Sequence, residues 1–249
     1  MGALIIAALL MLGGGQDDRT AGNVPSANEV LRRSVEALGG TDAILRHRTR
    51  VITGEFEIPR QRLRGEVVMS AAAPSKLLVR TTLPAVGETK SGFDGTTGWA
   101  LDPLAGARLI EGPALAQIAR QADFYAVLHR HPTITSVTSV SREPFDGVTA
   151  LKVRVVTSDG DEFLEFFAED TGLPIGSVGT QRTPMGPVAV VTVLKDYKGF
   201  EGVLLPTTIE QTAAGVMQRI LVRSVSHGPL ADGVFDLPPA VRLLKDKGK

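Results

Sequence analysis

Apolar and polar residues alternate along much of the chain after residue 50, and this alternation predicts antiparallel strands. In the segment 62–70, one face carries apolar residues and a glycine: Leu63, Gly65, Val67 and Met69. The other face carries polar residues: Arg62, Arg64, Glu66 and Ser70. A period of two with one polar face is typical of a strand that packs on one side and meets water on the other.

The second half of the chain repeats this pattern, with short turns between the extended segments. Six strands are predicted there, at residues 148–157, 161–168, 173–181, 188–198, 203–212 and 216–226. Most of their turns contain Gly with Asp, Pro or Ser, residues that tight turns favour. Long strands joined by short turns pair with their neighbours in sequence, so we expect a large, curled antiparallel sheet.

Few helices are available to cover this sheet. A helix over residues 27–38 is predicted from the Ser26–Glu29 capping box and the Gly39-Gly40 terminus. A helical turn at 42–46, a helix at 114–122 and a C-terminal turn at 240–245 complete the set. Helices across one open sheet enclose either a packed interior or a wedge-shaped apolar cleft, and such clefts bind lipophilic ligands.

The segment 91–106 supplies the candidate site. The Asp94-Gly95 turn and Asp102-Pro103 bracket a hairpin strand that carries the only tryptophan, Trp99. A tryptophan in a strand is usually a core residue, and the alternative is that it lines an apolar binding cavity. The candidate lining residues come from this hairpin and from the end of the helix at 114–122: Phe93, Trp99, Leu101, Phe124 and Tyr125.

The first residues differ from the rest of the chain. Residues 3–12 form an unbroken apolar run, followed by three glycines and then by polar residues from Gln16. This arrangement is typical of a secretory signal peptide, although no Lys or Arg precedes the run, and an uncleaved membrane anchor is the alternative. We therefore expect a signal peptide at 1–15, a linker at 16–25 and a single β domain at 26–249.

Composition excludes several classes of partner. Lys and Arg together number 27, as do Asp and Glu, so the chain lacks the overall basic charge of a nucleic-acid-binding protein. Arg60, Arg62 and Arg64 alternate and are expected on one strand face, either solvated or in contact with anionic lipid headgroups. Without cysteine the chain has no disulfide, thiolate metal site or lipidated cysteine.

No pattern in the chain indicates catalysis. It lacks a nucleophile elbow, a phosphate-binding loop, a dinucleotide fingerprint and a zinc-peptidase motif. His129 and His131 have no third ligand at a recognisable spacing, and His47 and His227 are isolated. Four aspartates stand where they would cap turns: Asp94, Asp102, Asp159 and Asp170. We therefore predict no catalytic residue, no metal and no cofactor.

Several local motifs occur in a recognisable order. They are Phe-Asp-Gly-x-x-Gly-Trp at 93–99, Asp-Thr-Gly-Leu-Pro at 170–174 and Val-Phe-Asp-Leu-Pro at 234–238, after a signal segment and one amphipathic helix. Over residues 26–245 this order resembles bacterial periplasmic proteins of the outer-membrane lipoprotein-sorting (LolA/LolB-like) superfamily. The resemblance implies an unclosed β half-barrel covered by helices, with an apolar cavity that in the carriers holds lipoprotein acyl chains. Similar domains also sense envelope stress, and one relative is an enzyme of pigment biosynthesis.

The preferred hypothesis is a noncatalytic periplasmic binding or carrier protein. Its cleft would take a lipid or the acyl chain of a lipoprotein, with transient membrane contact. The alternative is a protein-interaction or envelope-sensor module that docks an envelope protein through a sheet edge or basic face. An enzyme on the same fold is the third hypothesis.

Overall fold

The computed structural model describes residues 24–84 and 86–247, and most of this chain is β-strand. The strands are β1 (Thr49–Ile58), β2 (Leu63–Ala72), β3 (Lys76–Leu83), β4 (Gly87–Phe93), β5 (Gly98–Asp102), β6 (Gly106–Ile110), β7 (Ile134–Phe145), β8 (Val148–Thr157), β9 (Glu162–Ala168), β10 (Pro174–Thr183), β11 (Gly186–Phe200), β12 (Val203–Ala213) and β13 (Val216–Ser226). The helices are α1 (Ala27–Ala37), α2 (Thr41–Leu45), α3 (Gly112–Gln121) and α4 (Pro239–Lys247).

The strands belong to one antiparallel sheet with the order β6-β5-β4-β3-β2-β1-β13-β12-β11-β10-β9-β8-β7. The order is unclosed, and apart from the β1–β13 pair, each pair of adjacent strands is joined by a short turn. The predicted fold class, mainly β with an antiparallel sheet and few helices, is confirmed. The six strands predicted after residue 148 are also confirmed, to within two residues at each end.

One local prediction needs correction. Arg60 and Arg62 do not alternate with Arg64 along a strand, because Pro59–Gln61 forms a 3-10 turn. Arg62 ends that turn with a left-handed φ of 53°, and β2 begins only at Leu63. Strand β7 was not predicted, because its sequence is rich in Ser and Thr and lacks a regular apolar alternation.

The described chain forms two compact units. Unit 1 consists of His47–Phe124 and residues 218–247, and unit 2 consists of residues 24–46 and Tyr125–Met217. The expectation of a single domain at 26–249 stays a prediction. The predicted signal peptide at 1–15 lies outside the described residues, as does the linker up to residue 23. Among the described residues, no helix combines the length and apolar character needed to cross a bilayer.

Helix α1 covers one face of β7, β8 and β9 in unit 2. The predicted N-cap forms, because Ser26 Oγ accepts a hydrogen bond from the Glu29 backbone N–H at 3.3 Å. The core beneath the helix contains Ala27, Val30, Leu31, Ile134, Val137, Leu151, Val153, Val155 and Phe167. The apolar stripe of α1 is therefore used for packing within unit 2.

A second core cluster of unit 2 forms where α1 ends. Leu38, Ala43 and Ile44 pack with Val203 of β12. The helix can stop this close to the sheet because residue 39 is glycine: a Cβ there would lie 2.2 Å from a backbone oxygen of the β11–β12 turn. Tyr125, one of the predicted lining residues, packs against this cluster.

The sheet of unit 1 has two distinct faces, which follow from the register of its strands. Directly opposed residues share a face. One row across the sheet runs Arg50, Ala71, Leu77, Phe93, Gly98 and Ile110. The neighbouring row on the opposite face runs Ser70, Leu78, Gly92, Trp99 and Leu109. We call these the α3 face and the α4 face, after the helices that pack on them.

Candidate ligand-binding faces of unit 1

Trp99 lies on the α4 face and is only 2% exposed. It packs with Leu78 of β3 and with Val241 of α4, which has no exposed surface. The segment before α4 completes the cluster with Val234, Phe235 and Leu237, and the neighbouring strands add Leu101, Ala107 and Leu109. The C-terminal part of unit 1 therefore seals the tryptophan, including the Val-Phe-Asp-Leu-Pro motif seen in the sequence.

A glycine makes room for the indole ring. Gly92 is opposite Trp99 in the β4–β5 ladder. A Cβ on Gly92 would lie 2.9 Å from Trp99 Cζ2 and 3.0 Å from the Leu77 carbonyl oxygen. Because real Cβ atoms do not approach so closely, the ring can lie flat across β4 only when position 92 is glycine.

The turn that presents Trp99 is organised by Asp94. Its Oδ1 accepts hydrogen bonds from the backbone N–H groups of Thr96 at 2.8 Å and Thr97 at 2.7 Å. Partial burial alone would raise the pKa of Asp94, but these N–H groups outweigh burial and hold the pKa below its ordinary value. Lys245 of α4 donates to Thr97 Oγ1 at 2.9 Å, so the helix is tied to the same turn.

The α3 face carries Phe93, which is buried. Its ladder partner Gly98 lies beneath α3: a Cβ there would be 3.0 Å from Leu115 Cδ1 and 3.1 Å from Ile118 Cγ2. Phe93 and Trp99 therefore point to opposite faces. Trp99 is covered by α4, whereas α3 packs on the side of the sheet that carries Phe93.

Phe124 follows α3 and contacts β1. Its backbone N–H donates to the Pro74 carbonyl oxygen at 2.9 Å, and the Arg50 guanidinium carbon lies 5.3 Å from the centre of its ring. That distance is within the range of a cation–π interaction. Arg50 shares a cross-strand row with Phe93, so both aromatic residues belong to the α3 side of the sheet.

A half-buried apolar patch adjoins Arg50 on the α3 face. Ile52 is the next residue of β1 on this face, and it is directly opposed by Met69 of β2 and by Val225 of β13. All three apolar side chains are partly exposed, as is Arg50. We call these four residues the Arg50 patch.

The four predicted lining residues of unit 1 thus do not form one wall. Trp99 and Leu101 belong to the α4 face, Phe93 and Phe124 to the α3 side, and Tyr125 to unit 2. Sequence reasoning missed the Arg50 patch. The available signal was an arginine at the same parity as Ile52 and Phe56, where an apolar residue is expected.

The four histidines form two separate pairs, one in each unit. His131 Nδ1 lies 2.8 Å from Thr133 Oγ1, next to the exposed His129 in unit 2. His47 and His227 both belong to unit 1, and their rings stack with centroids 3.9 Å apart. The interpretation of these two histidines as isolated is therefore wrong, because β1 and β13 pair and bring them together.

Three solved structures resemble this chain over most of its length. A DUF1329 family protein from Desulfovibrio piger has a TM-score of 0.59 at 12% identity, with 84% of this chain and 96% of that chain covered. A LolA superfamily protein from Nitrosomonas europaea has a TM-score of 0.57 at 13% identity, covering 86% and 99% of the two chains. The fold is LolA-like. A domain from Vibrio parahaemolyticus, described as an outer membrane lipoprotein-sorting protein domain, has a TM-score of 0.53 at 12% identity, covering 84% and 95%.

At such low identity these likenesses show the fold. The resemblance to the lipoprotein-sorting superfamily expected from the sequence motifs is confirmed at this level. No protein-family model matches the chain, and no curated protein matches it in sequence. The comparisons therefore show a LolA-like fold, and the ligand of this chain has to be argued from its own residues.

Proposed function

We propose that this protein is a noncatalytic periplasmic binding or carrier protein for an apolar or acylated ligand, such as a lipid or the acyl chain of a lipoprotein. The observation that carries the proposal is the α3 face of unit 1. Along β1 this face bears Ile52, Phe56 and Ile58, and the half-buried Ile52, Met69 and Val225 adjoin one another across three strands. Phe93 and Phe124 are buried on the same side.

The size of the apolar contribution suits an acyl chain. Burying about ten methylene groups contributes about 8 kcal/mol before ordering costs. A micromolar complex has a binding free energy of about 8 kcal/mol. The apolar contribution of ten methylene groups therefore matches micromolar binding only before ordering costs, and a longer chain or a polar contact has to offset those costs.

The first test is extraction of the purified protein with organic solvent, followed by mass spectrometry for copurified lipid. Delipidated protein is then titrated with a lysophospholipid, using calorimetry. Ile52→Asp places a carboxylate in the Arg50 patch and should weaken binding at least about tenfold, because a charged group is costly to desolvate beneath an apolar chain.

Thr53→Asp is the matched control. It adds the same group one residue along β1, on the opposite face of the sheet, and should bind lipid as the wild type does. If the extract holds no lipid and saturating lysophospholipid gives no heat and no change in melting temperature, the carrier proposal is abandoned. The protein-interaction or envelope-sensor module then becomes the working hypothesis.

Export is part of the proposal and has its own test. The apolar run at residues 3–12 and the glycines that follow support cleavage near Gln16. N-terminal sequencing of the protein from the cell envelope should find a start close to this residue. A membrane-bound product that retains Met1 would replace the signal peptide with an anchor.

A further inference from the structure

Arg50 is the charged residue of β1 on the α3 face. The other β1 residues of the α3 face are Ile52, Gly54, Phe56 and Ile58, none of which carries a charge. The cross-strand partner of Arg50 on β2 is Ala71. Arg50 therefore places a positive charge at one end of the apolar side chains that β1 carries on the α3 face.

The charge of Arg50 has no carboxylate partner within residues 24–84 and 86–247. Its described contact is the face of the Phe124 ring, which attracts a cation but offers no hydrogen-bond acceptor with a full negative charge. Burial lowers the pKa of Arg50 to about 10, because loss of water disfavours the charged form. The side chain still carries its charge at neutral pH, so its desolvation is a cost that an anion would offset.

We propose that the Arg50 patch binds an anionic amphiphile, whose carboxylate or phosphate accepts hydrogen bonds from the Arg50 guanidinium while its apolar chain lies on Ile52, Met69 and Val225. This rests on the proposed function and specifies the ligand class. A guanidinium offers a planar fork of N–H donors that matches a carboxylate or a phosphate in two-pronged geometry. The apolar neighbours supply a surface for the chain without further polar recognition.

The test compares two probes that differ only in the head group, on delipidated mature protein at neutral pH. Laurate carries a carboxylate, and lauryl alcohol has the same chain without the charge. Wild-type protein should bind laurate about tenfold or more tightly than the alcohol, the range expected for a hydrogen bond to a charged group. Arg50→Gln should abolish that preference and leave the affinity for lauryl alcohol near its wild-type value.

Arg80→Gln is the matched control, because Arg80 is an exposed arginine on β3 that shares the opposite face with Val68. It should keep the full preference for laurate. Arg50→Lys keeps the charge but loses the planar fork, so its preference should fall severalfold below that of the wild type. This variant decides the question if Arg50→Gln does not fold, as judged by circular dichroism.

The outcomes separate the inference from the function on which it rests. If laurate and lauryl alcohol both bind but Arg50→Gln or a folded Arg50→Lys retains the wild-type preference, the inference is wrong and the carrier function stands. If neither probe binds wild-type protein, both fail. Acetate, inorganic phosphate and lysophosphatidate are also compared as competitors for bound laurate. If a large excess of acetate or inorganic phosphate displaces laurate as effectively as lysophosphatidate does, the site recognises a free oxyanion, and the amphiphile proposal is overturned.

Discussion

Helix α4 covers the only tryptophan of the chain through Val241. Truncating Val241 should therefore destabilise the packing of α4 on the sheet. Val241 has no exposed surface and packs against Leu78 and Trp99. Val241→Ala removes two buried carbon groups, which amounts to about 1.6 kcal/mol in transfer free energy. The cavity left behind raises the expected loss of unfolding free energy to about 2–3 kcal/mol. For a chain of this size the melting temperature should fall by about 4–12 °C.

Emission from Trp99 is the assay, because no other tryptophan contributes to the signal. Guanidinium titrations followed by this emission should show a lower midpoint for Val241→Ala than for the wild type. Leu243→Ala truncates a residue of the same helix that is 63% exposed, and its unfolding free energy should change by less than about 0.5 kcal/mol. Equal midpoints for the two variants would refute the claim that α4 is anchored through Val241.

Three further predictions concern single features of the two units. Gly92→Ala should lower the unfolding free energy by about 1–3 kcal/mol in urea titrations, because the new methyl group collides with the indole. Gly228→Ala, where a Cβ meets nothing within 4 Å, should leave it nearly unchanged. Asp94→Asn should cost about 1 kcal/mol at neutral pH. Because the folded state holds the pKa of Asp94 low, that difference should vanish as the pH falls below about 4 and through the folded pKa, as thermal melts across the pH range can show. Replacing His129 and His131 together with Ala should change the unfolding free energy by no more than about 1 kcal/mol, because one hydrogen bond is lost. If the double variant lost a stoichiometrically bound metal, the prediction would be contradicted.

Strands and hairpins of this fold are largely predictable, because their signals are local. Asp94 and Asp102 both accept hydrogen bonds from backbone N–H groups two and three residues later, as expected for aspartates that organise turns. Ser26 caps α1 for the same reason. Such interactions join residues that are near in sequence, so residue type and spacing suffice to predict them.

The candidate site was harder to predict, because it depends on register and on distant contacts. Four residues separate Phe93 from Gly98, which are ladder partners, so Trp99 must point to the opposite face from Phe93. An error of one residue in the hairpin register exchanges the two faces. The cover of Trp99 comes from Val241, far away in sequence, and no local pattern specifies that contact.

A comparison with ion-paired arginines of unit 1 supports the interpretation of Arg50. Two exposed arginines there have carboxylate partners: Arg223 lies 2.7 Å from Glu55, and Arg64 lies 3.1 Å from Glu57. In both pairs the arginine is largely exposed, so water screens its charge and the pair contributes little stability. Arg50 presents the reverse case, a half-buried guanidinium for which ion pairing would matter most and for which the described chain supplies no carboxylate. A side chain kept in that position at a cost to folding is best explained by an anion that arrives with the ligand.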